Sequence, residues 1–220
     1  MSTDDANCQI DYISNSLKPD RVFFYTFNNE TGSELEKYFR KELGTRLTGT
    51  CFYDEDIERL RNVATANTYG NADCITIYGF TPALGRLIKL LREGGYTGAI
   101  VASTGFNQPS VLDIVGDYAK SVSFADYDFP WQSKQHKIWN DEALATYKTS
   151  FSISSYQAYG AFRVFDELYS AGHHSPRDIG AQLSKDKVYG FKAGEEALAF
   201  TTHTDGGITS RLCMRIAGND

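Results

Sequence analysis

Methionine and tryptophan are the scarcest residues of this chain, two of each, and cysteine follows at four. Cys8, Cys51, Cys74 and Cys213 never stand at C-x-x-C spacing, which argues against a zinc ribbon or a thioredoxin-type centre. Cys51 and Cys74 fall in apparent strands and read as small hydrophobes. Cys8 and Cys213 lie near the two ends, so a disulfide between them stays open. No apolar run reaches 18 residues, the length a membrane helix needs. The start, Met1-Ser2-Thr3-Asp4-Asp5, has neither the basic end nor the apolar stretch of a signal peptide. Basic residues are outnumbered 22 to 28, giving a net charge of −6, so the positive face that nucleic acid demands is not expected. Phosphate-cradling patterns (G-x-G-x-x-G, Walker A) and the G-x-S-x-G elbow are also missing.

What the chain does have is aromatic residues, 14 Tyr and 14 Phe in 220 residues, and a repeating order of strand and helix signals. The length allows one large domain or two small ones with a real core. After a leading segment with Ile10, Ile13 and Leu17 at helical spacing, Arg21-Val22-Phe23-Phe24-Tyr25-Thr26 is apolar on both faces, as a central parallel strand tends to be. The spacing of Leu35, Tyr38, Phe39 and Leu43 predicts a helix over 33–43, stopped by Gly44. A strand near 47–53 follows, then a helix capped by Asp54.

Residues 74–126 read as strand, helix, strand, helix, strand. Thr81 is placed to cap a helix with Pro82 at its first position, and Leu84, Leu87, Ile88 and Leu91 make its buried stripe. This alternation implies a doubly wound α/β fold, a parallel sheet covered on both faces. Beyond Asp126 the texture changes. An aromatic segment, Tyr127-Asp128-Phe129-Pro130-Trp131, leads into a polar stretch holding His136 and Trp139. A strong helix is expected over 154–171, with Tyr156, Tyr159, Phe162, Phe165 and Leu168 or Tyr169 on its stripe. A shorter helix from Pro176 follows the cap Ser175. The tail alternates over 197–201 and 210–216 and predicts a β-hairpin around Asp205-Gly206-Gly207.

The candidate chemistry is recognition rather than reaction. Ligands of such sheets bind beyond the carboxyl ends of the strands, where this chain places Asn28, Asn29, Thr31, Phe80, Thr81, Ser103, Thr104 and Asn107. These are hydrogen-bonding and stacking groups, without a nucleophile–base pair. Asn28, Asn29 and Thr31 precede a helix N-terminus, where free N–H groups favour an anion, although capping and turn chemistry account for both types. His173-His174 suggests metal, but adjacent side chains diverge and no further ligand falls at suitable spacing. Asp54 with Asp56 and Glu195 with Glu196 read as caps or solvated turns. No catalytic residue, metal or cofactor is therefore expected.

The same unit carries a family resemblance. Asp73-Cys74-Ile75-Thr76-Ile77-Tyr78-Gly79, Ala83-Leu84-Gly85-Arg86-Leu87-Ile88-Lys89 and Leu91-Arg92-Glu93-Gly94-Gly95-Tyr96-Thr97-Gly98 resemble the type I periplasmic solute-binding proteins. Within that class they look most like the branched-chain amino-acid receptors of ATP-driven (ABC) importers. Pro109-Ser110-Val111-Leu112, Gly116-Asp117-Tyr118-Ala119-Lys120-Ser121-Val122, the helix beginning at Tyr156 and the closing hairpin continue the likeness in colinear order.

The resemblance implies two Rossmann-like lobes closing on a small ligand, with most of the first lobe lacking here. It implies a leading segment over 1–20, a second-lobe domain over 20–128, hinge and first-lobe helices over 129–185, and a returning hairpin and tail over 186–220. Met1 would then mark a truncated start. The implied function is that of a non-enzymatic, periplasmic solute-binding component that presents an amino acid or amide-like metabolite to a membrane permease. Position matching places its ligand contacts at Asn29, Thr31, Phe80, Thr81 and Thr104. The amino-acid receptors carry a carboxylate where Thr104 stands, which argues against a plain α-amino acid. A ligand-sensing regulatory domain of the same fold and a small flavodoxin-like enzyme are the alternatives. With one jaw, the stripe of Tyr159, Phe162, Val164 and Phe165 would lack a sheet to cover. A homodimer, a segment swap or repacking on the chain's own sheet is then expected.

Overall fold

A computed structural model describes residues 4–129, 131–204 and 208–217. The elements run α1 (Asp4–Tyr12), β1 (Val22–Phe27), α2 (Glu30–Leu43), β2 (Leu47–Tyr53), α3 (Ile57–Val63), α4 (Ala66–Tyr69), β3 (Cys74–Ile77), α5 (Pro82–Glu93), β4 (Ala99–Ala102), α6 (Pro109–Val115) and β5 (Val122–Tyr127). They continue with α7 (Lys134–Tyr147), α8 (Ile153–Ser170), α9 (Pro176–Leu183), β6 (Lys187–Ala193), β7 (Glu196–Thr202), β8 (Ile208–Thr209) and β9 (Leu212–Ile216). The chain divides into two compact units, Met1–Asp126 with Leu212–Asp220, and Tyr127–Arg211.

In the first unit a six-stranded sheet has the order β2-β1-β3-β4-β5-β9. The first five strands pair in parallel. β9 returns antiparallel along β5, since Ala217 N–H beyond its end donates to Val122 O at the start of β5. Strand alternation sorts the side chains of β1 to two faces. Phe23 and Tyr25 join Ile75, Ile77, Leu60, Leu84, Leu87, Leu91 and Val111 under α3, α5 and α6. Val22 and Phe24 join Ala6, Ile10, Ile13, Leu35, Phe39 and Leu43 under α1 and α2. The sheet is thus doubly covered, the fold class expected from its apolar strands. Arg92 fastens the amino-terminal edge by donating to the carbonyls of Tyr96 and Gly98, both at 2.8 Å, and of Ser121 at 3.1 Å.

Local chemistry departs from expectation at several points. Asp56, not Asp54, caps α3, accepting from Arg59 N–H at 2.9 Å. Asp54 instead accepts from Asp56 N–H at 3.0 Å and pairs with Arg59 at 2.7 Å. These bonds and the neighbouring guanidinium hold its carboxyl below the usual range. None of the four cysteines is joined in a disulfide. Met214 packs with the α1 and α2 face.

In the second unit the polar stretch after Trp131 is helical. It is helix α7, capped by Ser133, which accepts from His136 N–H at 3.0 Å, and none of its residues is buried. Its weak apolar periodicity conceals it in the sequence. The antiparallel hairpin expected at the tail is present, and β7 carries a further strand, β6, on its other edge. β6 and β7 pair in register from Lys187↔Thr202 to Ala193↔Glu196, around Gly194, whose φ of +62° suits glycine. β8 adds the pairs Thr201↔Thr209 and Thr202↔Ile208. Asp205-Gly206-Gly207 lie outside the described residues, and residues 212–216 leave this sheet as β9. The buried face of α8 also differs from the expected stripe. Tyr156, Gly160, Val164 and Leu168, four residues apart, face inward, and the three bulky ones pack with Phe191, Leu198 and Phe200 of the hairpin. Phe162, Phe165 and Tyr169 stay exposed, at 75%, 49% and 52%.

Candidate functional site

A parallel sheet of order 2-1-3-4-5 reverses its winding between β1 and β3, which opens a crevice at their carboxyl ends. β1 leads into Asn28, whose N–H donates to Tyr53 O at 2.9 Å. Asn29 then caps α2, its Oδ1 accepting from Gly32 N–H at 2.8 Å. Gly32 is required here, because a Cβ would lie 1.9 Å from Phe27 O. Thr31 is exposed on the first helical turn.

β3 leaves the sheet beside this loop, with Tyr78 N–H donating to Tyr25 O at 2.9 Å. Phe80 follows, 51% exposed and edge-on to Tyr78 with centroids 5.1 Å apart. Thr81 caps α5 through its hydroxyl oxygen, which accepts from Ala83 N–H at 3.3 Å. Tyr53 braces both loops. Its ring packs 4.6 Å from Phe27, and its hydroxyl donates to Tyr78 O at 3.1 Å. Burial raises its phenol above the ordinary range, so it remains a donor. Asn29, Thr31, Phe80 and Thr81 therefore stand on the two loops that flank the switch point.

The β4 exit is built differently. Ser103 Oγ accepts from Gly79 N–H at 3.0 Å and donates to Gly79 O at 2.7 Å, locking the β3 and β4 loops together. Gly105 lets them approach, since a Cβ there would fall 2.1 Å from Gly79 O. Thr104 is 5% exposed. Its N–H and hydroxyl both donate to Asp5 Oδ2, at 2.9 and 2.8 Å. Asp5 Oδ1 accepts from Gln9 Nε2 at 2.9 Å, and Gln9 Oε1 accepts from Thr76 Oγ1 at 2.8 Å. The structure thus places Thr104 in the interior, with its N–H and hydroxyl spent on Asp5 of α1.

In the sequence Asp5 and Gln9 read as nothing more than a polar start. The signal that could find them is the helical face they share with Ala6, Ile10 and Ile13. Burial raises the Asp5 carboxyl above its usual range, while the bonds from Thr104 and Gln9 pull it back. A second buried carboxylate closes the far corner. Asp126, fully buried, lies 3.1 Å from both Arg215 Nε and Asn107 Nδ2.

The exposed edge offers a half-exposed ring, a hydroxyl and two capped helix starts. That is equipment for holding a small polar molecule with a flat or apolar part. Among the described residues no three His, Cys, Asp or Glu side chains gather as a metal site. The His173-His174 pair diverges as adjacency predicts. His173 Nδ1 lies 2.9 Å from Asp178 Oδ2, and His174 stacks edgewise on Tyr169 at 4.5 Å.

No family model and no curated protein sequence matches the chain. Solved structures do. A leucine-binding protein from Thermotoga maritima is 18% identical, with a TM-score of 0.65 over 95% of this chain and 65% of its own. A branched-chain amino-acid transporter substrate-binding protein from Streptococcus pneumoniae, in complex with isoleucine, is 18% identical, with a TM-score of 0.69 over 97% of this chain and 65% of its own. An ABC-transporter solute-binding protein from R. palustris, in complex with 4-hydroxybenzoate, is 14% identical, with a TM-score of 0.74 over 99% and 61%. This chain therefore spans less than two thirds of the length of these proteins. Its mostly parallel, doubly covered sheet, with the antiparallel hairpin near its end, has the type I periplasmic binding fold.

Proposed function

We propose that this chain is the solute-binding component of an ABC-type importer, non-enzymatic and working in the periplasm with a membrane permease. Its ligand would be a small polar metabolite, an amino acid or amide-like, bound at Asn29, Thr31, Phe80 and Thr81. One observation carries the reading: the two loops flanking the β1/β3 switch point leave Thr31 and Phe80 exposed, while the β4 exit is closed by internal bonds. The solved structures support the class, since those of this fold include proteins in complex with isoleucine and with 4-hydroxybenzoate. The exposed Phe80 ring suits a planar or branched apolar group equally. Thr104, the fifth position matched, acts in this reading from behind the site by fixing the β4 loop on Asp5.

A site made by one edge covers less of a ligand than the about 70–90% that tight pockets bury, so affinity should be weak, on the order of millimolar. Amide NMR titration with isoleucine, glutamine and benzoate tests this. At least one ligand should shift Asn28–Thr31 and Phe80–Thr81 resonances saturably, and Phe80→Ala should remove the response. Shifts scattered over the surface, or none for any of the three, would reject the site. The exposed face of α8 supports the accompanying proposal of a homodimer. Light scattering should show a mass that rises with concentration and falls to that of a monomer in a Phe162→Ser, Phe165→Ser variant.

A further inference from the structure

Away from the strand edge, α7 and α8 enclose a groove of about 400 Å³ walled by Trp139, Tyr147, Phe151 and Tyr159, with Glu142 on its rim. We propose that this groove is a second ligand site, specific for a small organic cation of the alkylammonium type. The inference does not depend on the function proposed above.

Three rings from three segments meet in one wall. Trp139 of α7 lies 5.2 Å from Phe151, in the connection, and 4.8 Å from Tyr159 of α8. The connection is held in place, since Phe151 N–H donates to Asn140 Oδ1 at 2.9 Å, and Lys148 ends α7 in the left-handed conformation at φ 58°. The wall is therefore formed before any ligand arrives.

Charge selects the ligand. Glu142 follows Trp139 by three residues, on the same helix face, and is the one charged residue lining the groove. Among the described residues it makes no ion pair, whereas its neighbour Asp141 is paired with Lys137 at 2.6 Å. Arg163 lies outside the lining and over Phe191 at 5.0 Å, 6.0 Å from the Tyr159 centroid. A neutral apolar guest would strip water from the Glu142 carboxylate without replacing it, which is costly. An alkylammonium ion compensates that charge and is attracted by the negative ring faces. The volume also lies within the range of small-molecule sites, about 300–1,000 Å³.

Choline and its neutral isostere 3,3-dimethylbutan-1-ol test the proposal on the full chain, by calorimetry for affinity and by indole NMR for location. Choline should bind saturably and move the Trp139 indole signal, with the isostere at least about tenfold weaker. Glu142→Gln should weaken choline about fivefold or more, and Trp139→Ala should abolish binding. If Trp139→Ala fails to fold by circular dichroism, Tyr159→Leu serves in its place. Equal binding of choline and its isostere, indifference to Glu142→Gln, or no saturable binding of choline would each overturn the proposal.

Discussion

The two units bury apolar surface by different means. In the first, a parallel sheet has both faces covered, and its strands are apolar on both sides because each side meets helices. Phe23 and Phe24 are successive residues, 6% and 0% exposed, and they serve opposite cores. In the second, one face of α8 closes on a hairpin, while its other face leaves Phe162 and Phe165 in solvent. Aromatic content alone therefore says nothing about cohesion, because the same residue type closes one unit and decorates the other.

Tryptophan makes the comparison measurable, because both tryptophans, Trp131 and Trp139, belong to the second unit. Tryptophan emission follows that unit, whereas far-ultraviolet circular dichroism follows both. Leu84 is fully buried between α5 and the sheet. Leu84→Ala should cost about 2–5 kcal/mol, displacing the dichroism transition to lower urea well ahead of the emission transition. Phe162→Ala should change the stability of the monomer by less than about 0.5 kcal/mol. If the two probes moved together after Leu84→Ala, the units would unfold as one and the contrast would fail.

Looseness at the surface of the second unit does not extend to its core. A Cβ on Gly160 would lie 2.0 Å from the ring of Phe200, which is 2% exposed and has nowhere to turn. Overpacking of this kind costs about 1–3 kcal/mol, against a helix-propensity gain of up to about 1 kcal/mol for alanine over glycine. The overlap should win, so Gly160→Ala lowers the midpoint of the emission transition. Gly180 of α9 has nothing within 4 Å of its Cβ position, and Gly180→Ala should stabilise the unit by roughly 0.5–1 kcal/mol and raise that midpoint. Opposite signs from the same substitution in one unit would sharpen the contrast to faces rather than units.

The legibility of the sequence follows the same division. Strands β1, β3 and β4 are readable because two-sided burial writes continuous apolar runs, and α5 because Thr81 and Pro82 announce its start. α7 is not, since a helix that buries nothing leaves no apolar period to detect. The inward face of α8 is misjudged when bulk is taken as the sign of burial. The actual face includes Gly160, where absence of a side chain admits Phe200. At the strand edge, Asn29 and Thr81 are legible as caps, their type and position being local facts. Thr104 is legible as a strand-end residue, but its bonds to Asp5 join residues 99 apart in sequence, a distance that no local pattern encodes.

That distant bond supplies the smallest and most pointed prediction. Asp5 is buried on three neutral donors, Thr104 N–H, Thr104 OH and the Gln9 amide, and burial outweighs them in raising its carboxyl above its unfolded value. A folded state that holds a proton more tightly than the unfolded state gains from acid. The Asp5 contribution to stability should therefore be most favourable below the unfolded value and decline as pH rises through the raised one. In Asp5→Asn the side chain cannot ionise, and its carboxamide can still accept from Thr104 N–H. Subtracting the stability of this variant from that of the parent chain across pH 3.5–7.5 removes the other titrating groups. The difference should fall with rising pH, read by dichroism because the network lies in the first unit. A difference that instead rises with pH would mean that the three donors overcome burial. In that case α1 is held by an ionised carboxylate, and the first unit is closed at its strand edge by charge rather than by packing.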